Sequence, residues 1–72
     1  MTTFNEANQA RLSLKMTLSN YAWFNGLSVL LEDGDYIIVV NINAQISDKI
    51  RKIVPIVHNG VGVKTYMEGH IV

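Results

Sequence analysis

Tyr36-Ile37-Ile38-Val39-Val40-Asn41-Ile42 carries one polar side chain in seven residues. A strand with one wet face alternates apolar and polar residues; this run does not, so both of its faces need cover. A chain of 72 residues has little else to supply that cover. The stretch therefore reads as the middle strand of a small sheet, and it points to a surface for self-association or for a partner.

The flanks extend the reading. Asp33-Gly34-Asp35 is a hairpin connector, because glycine supplies the positive φ that tight hairpins need. It joins the middle strand to an antiparallel strand over Leu27–Glu32, which starts after a turn at Asn25-Gly26. Further back, Thr3 and Glu6 fit a capping box that opens a helix. Ala7, Ala10, Leu14, Leu18 and Tyr21 follow at spacings of three or four and mark its buried stripe. Leu12, Met16 and Trp23 form a second, weaker stripe. A strand is the competing reading, since Leu12, Leu14, Met16 and Leu18 also alternate with polar residues. The cap and the Ala, Arg, Leu, Lys and Met content favour the helix.

On the other side, Ser47 is an N-cap for a short helix, with Asp48 near its N-terminus. Ile46, Ile50, Ile53 and Val54 give it an apolar face, and Pro55 ends it. Asn59-Gly60 is the next turn. Val61 to Met67 then alternates as a strand, Gly69 breaks the pattern, and His70-Ile71-Val72 is a short tail or strand extension.

The middle strand, short helix and last strand form a right-handed crossover, so the last strand runs parallel to the middle one. The predicted fold is a single α+β domain over residues 1–72, in the order α-β-β-α-β. Its mixed three-stranded sheet carries helices on one face. Helices are expected over residues 4–22 and 48–54, and strands over 27–32, 36–43 and 61–67. If the helices cover Tyr36, Ile38, Val40 and Ile42, then Leu30, Ile37, Val39 and Tyr66 are left on an open face. A contiguous patch of this kind marks an interface. The expectation is a homodimer through that sheet face or the sheet edge. The alternative is a monomer whose N-terminal helix folds over the second face.

Composition bounds the function. The chain has no cysteine, so no disulfide or thiolate metal site staples it. Small domains without staples rely on dense packing or oligomerisation. Apolar residues make up 49% and charged residues 17%, a globular rather than disordered balance. The formal net charge is zero, against the basic stripe of a dedicated nucleic-acid binder. The N-terminus lacks the pattern of a signal peptide, and no apolar run is long enough for a membrane helix; a cytoplasmic location is expected.

Chemistry-bearing residues are few. His58 and His70 are the only histidines, and Glu68-Gly69-His70 with His58 is the one conceivable metal cluster. Loop histidines beside glycines are more often solvated, so no metal and no cofactor is expected. Ser13, Ser19, Ser28 and Ser47 lie outside any nucleophile motif, and nothing in the sequence pairs His58 with a serine. Glu32, Asp33 and Asp35 read as a solvated hairpin tip. His58-Asn59-Gly60-Val61-Gly62-Val63 is too short for a dinucleotide fingerprint, and no helix follows it. Tyr21, Trp23 and Phe24 close the core between helix and hairpin. Lys49, Arg51, Lys52 and Lys64 could form a small basic patch able to touch phosphates.

One segment has a familiar outline. Ile53-Val54-Pro55-Ile56-Val57-His58-Asn59-Gly60-Val61-Gly62-Val63, then Gly69-His70-Ile71-Val72, follows an Asp-Gly hairpin and a Val/Ile-rich strand. This resembles the small helix–hairpin–helix–strand module found ahead of some bacterial trypsin-like protease domains. The likeness spans Leu18 to Val72, with Gly62 where that pattern commonly has proline. It implies an accessory, non-catalytic module and carries over no functional residue.

The expected function is thus a small non-catalytic interaction protein that self-associates and binds another protein. The alternatives are a nucleic-acid-associated regulator using Lys49, Arg51, Lys52 and Lys64, and an enzyme whose site forms at an oligomer interface around His58.

Overall fold

The computed structural model describes residues 2–43, 47–67 and 70–71. Ile46, Glu68, Gly69 and Val72 lie outside the described residues, as do the side chains of His70 and Ile71.

The first helix, α1, spans Phe4–Leu18. Both halves of its capping box form: the Thr3 N–H donates to Glu6 Oε1 at 3.0 Å and the Glu6 N–H to Thr3 Oγ1 at 3.2 Å. These bonds hold the Glu6 carboxyl below its ordinary value of 4.5, the Thr3 backbone N–H acting most and the hydroxyl next. Ala7, Ala10, Leu14 and Leu18 are buried, so the stripe of period 3.6 decides between helix and strand. The helix stops four residues earlier than the 4–22 expected. Ser19 and Asn20 are poor helix formers, and the chain turns there with the Tyr21 N–H donating to the Leu18 carbonyl. Tyr21 instead stacks on Trp23, ring centroids 4.9 Å apart, while Trp23 and Phe24 lie against the core.

β1 spans Phe24–Glu32 and β2 Asp35–Ile42, paired antiparallel from Glu32–Asp35 at the turn. Asp33 (φ 51°) and Gly34 (φ 84°) both take positive φ, the type I′ geometry whose twist suits a two-residue hairpin. Asn25-Gly26, expected as a turn, lies inside β1. Gly26 at φ 128° sits where the register slips by one residue, a bulge that only glycine accommodates easily.

The short helix α2 covers Asp48–Ile53, its Ser47 Oγ accepting from the Ile50 N–H at 3.3 Å. Val54 turns extended before Pro55, which disfavours a helical residue ahead of it. β4, Val61–Met67, runs parallel to β2 with Ile38 beside Val63 and Val40 beside Thr65.

The α+β class and the mixed sheet match the expectation, but the sheet is larger than three strands. β3, Val57–His58, forms a second hairpin with β4, and β5, His70–Ile71, pairs antiparallel with its far end. The strand order is β1-β2-β4-β3, with β5 also on β4. Asn59 (φ 50°) and Gly60 (φ 77°) explain β3: they repeat the positive-φ pair of the first hairpin, so the chain doubles straight back.

One core holds this together. Ala7, Ala10, Leu14 and Leu18 of α1 meet Ile38, Val40, Ile42, Val61 and Val63 on one side of the sheet, and Ile50 and Val54 join the same cluster. The N-terminal helix therefore lies over the even-numbered residues of β2 and leaves the face of Ile37 and Val39 uncovered. No described helix is long and apolar enough to cross a membrane.

Candidate interaction surface

The uncovered face follows from strand register. Side chains along β2 alternate, so Ile37, Val39 and Asn41 point away from the core. Leu30 of β1 sits beside Ile37 and Ser28 beside Val39. Across β4, Lys64 flanks Val39 and Tyr66 flanks Asn41. The four apolar and aromatic residues singled out in the sequence, Leu30, Ile37, Val39 and Tyr66, thus share one face.

They are unequally open. Leu30 is 40% exposed, Ile37 and Tyr66 are half-buried, and Val39 is 3% exposed. The sequence suggested a barer patch than this. Lys64 Nζ reaches Glu32 Oε1 at 2.5 Å, linking β4 to β1 across β2 and roofing part of the face. Gly62 lies under the Ile37 side chain, whose Cγ2 comes within 3.5 Å of where a Cβ would stand. What remains is a shallow hollow of about 270 Å³ bordered by Ser28, Leu30, Val39, Asn41 and Tyr66.

The basic residues are divided. Lys49, Arg51 and Lys52 are exposed on α2, whose apolar side joins the core. Lys64 points to the opposite side of the sheet and is neutralised by Glu32. Arg51 and Lys64 both border a depression of about 220 Å³ beside β4, but the four charges do not form one stripe.

His58 overturns one sequence expectation. Its Nε2 lies 3.2 Å from Ser13 Oγ, so β3 and α1 bring a serine and a histidine together across 45 positions. A nucleophilic pair also needs a group that orients the imidazole. Among the described residues no carboxylate bonds His58, and Ser13 is on the exposed side of α1. The contact fastens the second hairpin to the helix. Among the described residues no three His, Asp or Glu side chains converge as metal ligands; the Glu68 and His70 side chains of the conceivable cluster lie outside them.

The sheet edge expected from the sequence as the other contact, there without residues, is formed by β1. Leu31 is 56% exposed at its end, and no described backbone group pairs with its outer side. The signal was present, since Phe24-Asn25-Gly26-Leu27-Ser28-Val29-Leu30-Leu31-Glu32 holds no Lys, Arg or Pro. Comparison with protein-family models, with curated proteins and with solved structures finds no match for the chain.

Proposed function

We propose that this chain is a non-catalytic interaction protein that works as a homo-oligomer, a dimer in its simplest form, and docks another protein on its open sheet face. It acts in the cytoplasm. The observation that carries this reading is the placement of Leu30, Ile37, Val39 and Tyr66 on the side of the sheet that neither helix covers. Apolar residues gathered there gain by excluding water against a second surface. The likeness to an accessory protease module supports the same reading.

Sedimentation equilibrium of the purified chain tests it, from low micromolar to near-millimolar concentration. Wild type is expected to rise from the mass of one chain towards that of two. Leu30→Glu places a charge at the most open member of the patch and should hold the mass at one chain with its circular dichroism unchanged. A wild type that stays monomeric throughout contradicts the proposal.

A further inference from the structure

We propose that the self-association is made edge to edge: β1 of one copy pairs antiparallel with β1 of a second, about a two-fold axis at Val29. This rests on the reading above and fixes its geometry.

The backbone carries the argument. The two-residue hairpin makes Glu32–Asp35 a hydrogen-bonded pair, and such pairs alternate with unbonded ones along an antiparallel ladder. Leu31–Tyr36, Val29–Ile38 and Leu27–Val40 are therefore the unbonded pairs. The Tyr36 N–H confirms this phase, since it turns away from β1 and donates to the Thr2 carbonyl at 3.4 Å. The N–H and C=O groups of Leu27, Val29 and Leu31 then point outward from the sheet, and no described group meets them.

The opposite edge is managed differently. β4 is capped at one end by β3 and at the other by β5. Natural sheets blunt free edges with lysine, proline, bulges or short strands. β1 is nine residues long, and its one bulge, at Gly26, leaves Leu27–Glu32 regular.

A second copy fits that edge because the edge complements itself. With the axis at Val29, Leu27 meets Leu31, Val29 meets Val29, and Leu31 meets Leu27. Each is a pair of outward-pointing residues, so all their N–H and C=O groups are matched at once. Leu31 gains an apolar neighbour. Leu30 faces Ser28 of the second copy on the open side. Glu32, the only charge in β1, stands opposite Gly26 rather than its own mate. Paired residues share a face, so the axis is perpendicular to the sheet and the two open faces join into one. Tyr66, three strands from the axis, takes no part in the contact and stays on the doubled face.

Single-cysteine variants read this geometry directly, because the chain has no native cysteine. Val29→Cys should cross-link to a covalent dimer under mild oxidation, as hydrogen-bonded partners stand about 5.5 Å apart, within disulfide reach. Leu31→Cys should not, since its mate is four residues along the strand, roughly 13 Å away. Leu31→Pro removes an outward N–H that the monomer does not use and should weaken association by about tenfold or more. Tyr66→Glu should remain dimeric. Equal cross-linking of both cysteine variants, or full association of Leu31→Pro, overturns the edge. A dimeric Leu31→Pro beside a monomeric Tyr66→Glu overturns the edge but leaves self-association standing. A monomeric wild type removes both.

Discussion

The two sides of β2 are built from nearly the same residues and have opposite fates. Ile38, Val40 and Ile42 are sealed under Ala7, Ala10, Leu14 and Leu18. Ile37 and Val39, equally apolar, face a side with no helix. The difference lies in what the rest of the chain supplies. One helix with a narrow stripe of alanine and leucine can lie close against one face only. The other face receives a substitute: Val39 is enclosed by Leu30, Tyr66 and the Lys64–Glu32 strut, without an element of its own. Hydrophobicity alone does not separate core from interface in this chain; the covering element does.

Substitutions along the two faces should rank accordingly. Ile38→Ala, in the sealed face, should cost about 3 kcal/mol and unfold much of a domain this small, read by urea denaturation. Val39→Ala should fall below it, at about 1–2 kcal/mol, because its cover is a side-chain roof that can settle into the gap. Equal losses at these positions would erase the contrast between the faces. Leu30→Ala should cost less than about 1 kcal/mol of stability while weakening self-association, so its two readouts should separate. Glu32→Gln should change stability by about 0.5 kcal/mol or less, since its ion pair with Lys64 is only part-buried and is screened by the water that reaches it.

The helix that covers the sealed face has its own, smaller sensitivity. The Glu6 pKa is lowered in the folded chain, so its contribution is complete above the ordinary 4.5 and is lost as pH falls through the lowered folded value. Thermal melts of wild type and Glu6→Gln should therefore differ slightly near neutral pH and converge as pH falls below the lowered folded value, because the ionised carboxylate accepting from the Thr3 N–H is what the variant removes.

The parts of this fold that were legible in sequence are those written locally. The capping box, the stripe of α1, the Asp33-Gly34 turn and the nearly unbroken apolar run of β2 each lie within a few residues. β3 escaped because Val57-His58 is too short to show a period; only Asn59-Gly60 announces it, and there it read as a plain turn. Asn25-Gly26 read as a turn because a glycine bulge and a glycine turn look alike without the partner strand. The exposure of Val39 was misjudged because the Lys64–Glu32 pair depends on three strands coming together. The Ser13–His58 contact, 45 residues apart, left no trace in the sequence. The grouping of Leu30, Ile37, Val39 and Tyr66 was readable because strand parity and the hairpin register follow from local turns.

Sedimentation equilibrium of wild type across concentration is the most direct measurement. The open face and bare β1 edge together predict a reversible rise from 8.1 kDa towards twice that mass. A mass that holds at one chain up to near-millimolar concentration would mean that this sheet needs no second surface.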